Sequence, residues 1–310
     1  MKRSSRAGRL TQLERNQRTT GIFFILPSLV LCAIFMVVPL INVIRYSLTD
    51  WDGLSKTYNF VGLYNYMHLH EIEGFGEMML ATVTFAIGVT AITIIVSFLA
   101  ALALDKRGRD RLPRGLMRAL WFFPALLSGA VVGILWRIMY NYNNGVINKI
   151  ITSAGLPAVN WLETRGVTNI AIIIGAAWVQ IGLCVVVFLA GLQSIPQEMY
   201  EAAMVDGASR LQRLWHITVP SIRMTIAIML TLQVGNLFAA NVEKVLLLQN
   251  DLNLSVSELL PTFVYKQGLV NGKYSYATAA GLFTSVVSCL LVVLANWGAK
   301  KISSSEMGVF

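Results

Sequence analysis

The sequence has few charged residues and few cysteines. Only 13% of its 310 residues are Asp, Glu, Lys or Arg, whereas 55% are hydrophobic, and the mean hydropathy is +0.62. That balance excludes an ordinary soluble domain. The three cysteines, Cys32, Cys184 and Cys289, stand singly in different apolar runs. We therefore expect them to pack as small apolar side chains, with no redox or metal role.

The sequence also lacks the short motifs of common enzymes. It contains no G-x-x-x-x-G-K-[ST] phosphate loop, because the nearest fragment, GLVNGKYS, has neither the glycine spacing nor a Ser or Thr directly after its lysine. It has no nucleophile elbow and no H-E-x-x-H helix either. We expect a chain that is not an enzyme, with no catalytic residues, no metal and no cofactor of its own.

The sequence does contain several long apolar runs. A helix needs about 20 residues to cross roughly 30 Å of hydrocarbon, and a backbone in lipid must be hydrogen-bonded within its own segment. The runs that meet this length lie at 21–48, 80–104, 116–139, 167–192, 224–248 and 276–297. The sequence therefore predicts an all-α membrane protein with six transmembrane helices.

The distribution of Lys and Arg predicts the orientation, because cytoplasmic flanks retain positive charge. Basic residues cluster in the N-terminal tail, after the second run and after the last run, whereas the loop after the first run is acidic. Both termini are then cytoplasmic. The predicted organisation is a basic tail at 1–20, a membrane domain at 21–300 with a cytoplasmic loop at 192–222, and a tail at 301–310. These flanks account for the net charge of +9, so membrane lipid rather than nucleic acid is the expected partner.

The loop at 192–222 predicts two short helices. In "SIPQ", Ser194 is the expected N-cap of the first, and Gly207 can take the left-handed conformation that ends it. "SRLQ" predicts a capping box that begins at Ser209, and Pro220 interrupts the helix before the fifth run. Periodicity alone leaves two interpretations open: an amphipathic helix on the membrane surface, or a knob that inserts into a partner protein.

The spacing of small and apolar residues in this loop resembles a known signature. "EAA" at 201–203 is followed by Gly207, Ile217 and Pro220. This pattern is similar to the cytoplasmic loop of permease subunits in binding-protein-dependent ABC importers, which usually have Leu where Val219 stands. "SLTDWDG" with "FVGLYNY", and "LWFFPALLSGAVVGILWRIMYNYNNGVIN", resemble the carbohydrate-uptake branch, of the maltose and glycerol-phosphate type.

The resemblance implies a type I ABC importer permease fold in a bacterial cytoplasmic membrane, with the loop as a coupling helix that docks on a separate ATPase. The implied contact residues are Glu201, Ala202, Ala203, Asp206, Gly207, Ile217 and Pro220. The implied partners are a second homologous permease, two ATPase subunits or a homodimer of one, and an extracytoplasmic solute-binding protein. ATP and Mg²⁺ would be bound by the ATPase, and the cargo would be a carbohydrate.

Polar residues within the apolar runs are candidates for a substrate path, because polar groups in the bilayer need an interior partner or a wet path. Amide and carboxylate groups can bond sugar hydroxyls, and aromatic faces can cover a sugar ring. The candidates are Gln180, Gln233, Asn236, Asn241 and Glu243 with Trp178 and Phe238. Their alternative role is to join helices by hydrogen bonds, and Glu243 with Lys244 could simply lie at the external boundary.

Other functions remain open at this point. A related permease could carry glycerol phosphate or another solute. An ion-coupled secondary transporter would favour inverted repeats and buried carboxylates, and Glu243 is the one plausible intramembrane acid in the apolar runs. A membrane enzyme has no catalytic set to support it.

Overall fold

The computed structural model describes residues 12–72, 74–105, 114–236 and 242–303. Over these ranges the regular structure is helical, apart from an isolated antiparallel bridge between Thr49 and Phe60. The first half of the chain forms α1 Gln12–Cys32, α2 Val38–Ser47, α3 Tyr64–His70, α4 Phe75–Leu104, α5 Arg114–Phe122, α6 Gly129–Met139, α7 Val146–Ser153 and α8 Arg165–Gln193. The second half forms α9 Gln197–Val205, α10 Arg210–Arg213, α11 Val219–Ser221, α12 Arg223–Asn236, α13 Val242–Leu248, α14 Leu254–Ser257, α15 Leu260–Tyr265 and α16 Tyr274–Ser303.

Two wide π turns allow helices to continue through a proline. One turn, Ala33–Val37, precedes Pro39, and another, Leu214–Thr218, precedes Pro220. Proline has no N–H, and its ring pushes against the carbonyl four residues earlier. A wider turn relieves that clash, so the first apolar helix remains continuous from Thr20 to Ser47.

The described residues contain four helices that are long and apolar enough to cross a membrane alone. These are Thr20–Ser47, Phe75–Leu104, Arg165–Gln193 and Tyr274–Gly298. The number rises to six if each of two bent pairs is one span: Gly115–Leu126 with Gly129–Met139, bent by 104°, and Arg210–Ser221 with Arg223–Gly235, bent by 63°. The third predicted run is therefore bent, and the fifth is shared by α12 and α13.

The break in the third run has a local cause. After α5 the chain forms a 3₁₀ turn at Phe123–Leu126, and Ser128 then starts α6 as its N-cap, accepting a hydrogen bond from the Val131 N–H at 3.3 Å. The break packs against α8 at Gly182, where a Cβ would meet the backbone of Trp121. Glycine at this position thus permits the close approach of the two backbones.

The pair α4 and α8 forms the centre of the bundle. Val89 on α4 and Ala177 and Phe188 on α8 are each 0% exposed. The Ser97 hydroxyl donates to the Ile181 carbonyl at 3.1 Å, which satisfies a buried polar group between the helices. By contrast, none of the most apolar window of the helix Thr20–Ser47 is buried within this chain. That helix therefore presents its apolar surface to lipid or to another subunit.

A polar network fixes the loop after the first helix to the start of α16. The Asn65 amide donates to the carbonyls of Ser47 at 2.9 Å and Thr49 at 2.8 Å. The hydroxyls of Thr49 and Ser275 are 3.0 Å apart and hydrogen-bonded. The "SLTDWDG" and "FVGLYNY" stretches thus bond to each other and, through Thr49, to α16.

The same loop contains a glycine in the left-handed region. Gly53 has φ +85° and lies under the Tyr274 ring, which a Cβ at this position would overlap. Next to it, hydrogen bonds from the Ser55 hydroxyl and backbone lower the pKa of the Asp52 carboxyl to about 2. Both features make this loop a compact cap on the end of the first helix and of α16.

Candidate functional site

The segment between α8 and α12, residues 194–222, forms a helical hairpin that we call the hairpin. Its first arm, α9, starts after Pro196, which is the N-cap residue, and not at Ser194. The Ser194 hydroxyl instead donates back to the Gly191 carbonyl at 2.7 Å and ends α8. The predicted N-cap at Ser194 was therefore wrong, because the hydroxyl bonds to the preceding helix.

The turn of the hairpin is a Schellman motif. Gly207 has φ +77°, the Ala208 N–H donates to the Ala203 carbonyl at 2.8 Å, and the Gly207 N–H donates to the Met204 carbonyl at 3.1 Å. These paired bonds satisfy carbonyls at the end of α9 and require a left-handed residue at position 207. Among the residues that the structure describes, none has an atom within 4 Å of the place where a Cβ on Gly207 would stand. The glycine is thus required by its backbone conformation and not by packing within this chain.

The second arm starts with the predicted capping box. The Ser209 hydroxyl accepts from the Gln212 N–H at 3.3 Å, and the Gln212 side chain accepts from the Ser209 N–H at 2.8 Å. The arm then continues through the π turn and Pro220 to Ser221, and the chain bends at Ile222 into α12. Pro220 therefore precedes the break by two residues.

Hydrogen bonding and packing hold the two arms together and against the bundle. The hydroxyls of Tyr200 and Thr218 are hydrogen-bonded at 2.8 Å. Tyr200 and Ile217 also pack against a buried hydrophobic cluster of the bundle that includes Ile195 and Ile222. The hairpin is thus joined firmly to both membrane helices that it connects.

The outer side of the hairpin is open. Glu201, Ala202 and Asp206 are exposed, and so are the apolar side chains of Met204, at 51%, and Val205, at 87%. A groove of about 380 Å³ runs between the arms and is lined by Ala203, Asp206, Gly207, Ala208, Gln212, Arg213, His216 and Ile217. Four of the predicted contact residues line the groove, and Glu201 and Ala202 lie on the exposed surface of α9.

A second candidate site is a large open cavity between the membrane helices. Its volume is about 1120 Å³, and its walls come from α2, α8, α13, α15, α16 and the bend before α6. Of the predicted path residues, Gln180 and Glu243 line it. The Glu243 carboxylate lies against Gly129, where a Cβ would be 2.7 Å from Oε2. The Gln180 Nε2 group is buried and has no hydrogen-bond partner among the described residues.

The cavity also contains polar residues that the sequence did not single out. Tyr265, Tyr274 and Thr278 line the same wall near α16. The two tyrosines stand outside the predicted apolar runs, where tyrosine is common in membrane proteins as a boundary residue. Tyr265 and Tyr274 could not be identified as cavity residues from the sequence, because position in the sequence does not show which tyrosines face inwards.

The other predicted path residues are placed elsewhere or lie outside the described part. The Gln233 amide donates to the Cys184 sulfur at 2.9 Å and joins α12 to α8. Trp178 packs edge-to-face on Trp136, with ring centroids 5.7 Å apart. Asn236 ends α12, and its side chain, like Phe238 and Asn241, is outside the described residues.

Comparison with known proteins places these two sites in a family context. The family described as "Binding-protein-dependent transport system inner membrane component" matches residues 93–304, more than half of the chain. The protein LplB of Bacillus subtilis is 39% identical over 180 residues, covering 58% of this chain and 57% of LplB. The polygalacturonan/rhamnogalacturonan transport system permease protein YteP of the same organism is 32% identical over 290 residues, covering 92% of this chain and 88% of YteP.

A solved structure extends the similarity to the whole fold. The crystal structure of a bacterial ABC transporter involved in the import of the acidic polysaccharide alginate matches with a TM-score of 0.82 and 26% identity. The match covers 94% of this chain and 99% of that chain. The bend before α6, the hairpin and the cavity therefore belong to a fold that is known in a transporter.

Proposed function

The chain belongs to the family of binding-protein-dependent transport system inner membrane components, and we propose that it is the permease subunit that forms the path for a carbohydrate in an ATP-driven importer. The proposed cargo is an oligosaccharide. In this arrangement six spans cross the membrane, the bent third among them, and both termini are cytoplasmic. The chain is a multi-pass inner-membrane protein and the transport component of its system.

The observation that carries this proposal is the hairpin. It is an exposed helical projection whose arms are hydrogen-bonded to each other through Tyr200 and Thr218, and Ile217 packs against the buried core of the bundle. Its outer arm offers small and apolar side chains. A rigid connection at the base and an open contact surface at the tip are what a force-transmitting joint requires. We propose that Glu201, Ala202 and Gly207 contact an ATPase subunit, whose closure moves α8 and α12.

The cavity supplies the proposed path. Gln180 and Glu243 contribute an amide and a carboxylate to its wall, and Tyr265 and Tyr274 combine hydroxyls with flat apolar faces. A few placed polar groups in a largely apolar pocket are typical of sites for small molecules. This combination suits a sugar, whose hydroxyls need hydrogen bonds and whose ring faces are apolar. The similarity to a polygalacturonan/rhamnogalacturonan permease and to an alginate importer supports this cargo class.

The proposed partners follow from the shape of a single permease. The cavity is open, and within the described part of the chain the helix Thr20–Ser47 has no buried residue in its most apolar window. A second homologous permease would close the path and cover apolar surface. Two ATPase subunits, which bind ATP and Mg²⁺, and an extracytoplasmic binding protein for the sugar complete the proposed assembly.

Purification of the chain from its native membrane tests this proposal. The proposal predicts that an ATPase and a second permease co-purify, and that the ATPase rate in vesicles rises when an oligosaccharide and its binding protein are added. A chain that purifies alone and transports without ATP would contradict it.

A further inference from the structure

Charge is segregated between the two arms of the hairpin. From Gln197 to Gly207 every charged side chain is acidic: Glu198, Glu201 and Asp206. From Ala208 to Arg223 every charged side chain is basic: Arg210, Arg213 and Arg223. A single docking partner would need both basic and acidic groups within one small surface to complement these charges. Two different neighbours could each complement the charge of one arm.

The basic arm has one apolar face that the chain leaves uncovered. Leu211 is 64% exposed and Trp215 is 61% exposed. They are four residues apart and thus share a side of the helix. The other side of the arm is occupied, since Ile217 packs against the buried core of the bundle. The arm is therefore an amphipathic helix with an apolar strip on its outer side.

This strip does not face the groove between the arms. The groove is lined by Gln212 and His216, each of which directly follows a member of the strip. Successive residues on a helix are rotated by about 100°. A protein that occupied the groove and contacted α9 would leave Leu211 and Trp215 on another side.

The inclination of the arm suits a place along the membrane surface. Arg210–Ser221 leads directly into the membrane helix Arg223–Gly235 and is inclined to it by 63°. A helix that bends by this angle at the membrane boundary lies nearer to the membrane plane than to its normal. Tryptophan and leucine on one side, with arginine beside them, are typical of helices that lie in the headgroup layer.

We propose that the basic arm is anchored on the lipid surface, with Leu211 and Trp215 at the boundary of headgroups and acyl chains and Arg210 at anionic headgroups. The acidic arm then remains free for a protein partner. The hairpin has one face on the bilayer and one on its partner, so the membrane serves as the support against which the joint moves. Lipid contact requires only that the chain is embedded in a bilayer, not that it transports sugar.

Tryptophan quenching by brominated lipid tests this anchoring directly. The full chain would be reconstituted in vesicles of phosphatidylcholine with about 30% phosphatidylglycerol, enough to give an anionic surface, with the phosphatidylcholine brominated at a shallow or at a deep acyl position. The chain has seven tryptophans, so the contribution of one is the difference between the wild type and a variant. We expect Trp215→Phe to remove a component that shallow bromine quenches more strongly than deep bromine.

Two variants serve as controls. Trp136→Phe removes an indole that is 7% exposed and stacked on Tyr140, and it should leave the lipid-quenched component unchanged. Arg210→Gln should reduce the quenching of Trp215 when phosphatidylglycerol is present, whereas the matched Glu198→Gln change on the acidic arm should not.

One result of the quenching experiment would overturn the lipid-anchoring proposal. If the emission that Trp215→Phe removes is quenched by aqueous acrylamide and not by brominated lipid, and if bound ATPase protects it, the strip is a protein-docking face and the proposal is wrong. Because this measurement needs no transport, it separates a failure of lipid anchoring from a failure of the importer function.

Discussion

At the scale of single residues, the first prediction concerns Gly207. Its φ of +77° belongs to a region where a residue with a Cβ costs about 1–2 kcal/mol. We predict that Gly207→Val distorts the turn and abolishes the coupling of ATP hydrolysis to transport, while the membrane bundle remains folded. Sugar-stimulated ATPase activity in vesicles and thermal unfolding of the purified chain would measure the two effects separately.

Gly155 provides the matched control for this variant. It has φ +79° and, like Gly207, has no atom within 4 Å of the position that a Cβ would take, but it lies in the loop after α7. Gly155→Val should therefore lower stability by a similar amount and leave coupling intact. Equal loss of coupling in both variants would show that strain, and not the position of the turn, is responsible.

A second residue-scale prediction concerns Gly53. Its replacement by Ala adds the left-handed strain and also places a Cβ on the Tyr274 ring. Gly74 has φ +80° with no neighbour within 4 Å, so Gly74→Ala carries the strain alone, about 1 kcal/mol. We expect Gly53→Ala to lower the thermal midpoint clearly more than Gly74→Ala. Equal midpoints would mean that the contact between the loop and α16 adds no stability.

Residue patterns predicted some local features and missed others for identifiable reasons. The left-handed Gly207 and the capping box at Ser209 were predicted and are confirmed, because both depend on neighbours close in sequence. Ser194 was misassigned because its hydroxyl can bond either forwards to a new helix or backwards to the helix that it ends, and serine does both in proteins. Only the positions of both helices decide between them.

At the scale of helices, the contact between Gly129 and Glu243 leads to a third prediction. A Cβ at position 129 would be 2.7 Å from the Glu243 carboxylate. Because the carboxylate is the mobile end of a side chain, Gly129→Ala should move it at a cost of about 1 kcal/mol, lowering transport roughly fivefold without unfolding the chain. Sugar uptake into vesicles measures the effect.

Gly115 is the control for the cavity variant. It lies on α5, in the other half of the same bent pair, and has no atom within 4 Å of a Cβ position. Gly115→Ala should transport like the wild type. If Gly129→Ala did so too, the position of the Glu243 carboxylate would not matter for transport.

Hydropathy predicted where the helices lie along the sequence but not the angles at which they bend. It located the helical segments within a few residues, yet it treated 116–139 as a single helix. The average over a window records composition, whereas the 104° bend depends on the turn at Phe123–Leu126, the cap at Ser128 and the space above Gly182. The cavity arises partly from that bend, so Gln180 and Glu243 could be suggested as candidates but not placed together from the sequence.

At the scale of the whole molecule, the chain is one of two permease subunits in the proposed assembly. The family could be predicted from the signature in the hairpin and is confirmed by the match to residues 93–304. The sugar path, by contrast, requires surfaces from a second permease, and the sequence of one subunit does not contain them. The exposed first helix and the open cavity are the places where that second subunit would pack.

The central claim is that the hairpin contacts the ATPase, and site-specific photo-cross-linking tests it most directly. A photoreactive phenylalanine derivative would replace Ala202 on the exposed side of α9 or, as control, Asn143 in the exposed turn after α6. We expect a cross-link to the ATPase from position 202 in native membranes and none from position 143. Absence of a cross-link from 202 while the ATPase still co-purifies, or equal cross-linking from both positions, would contradict it.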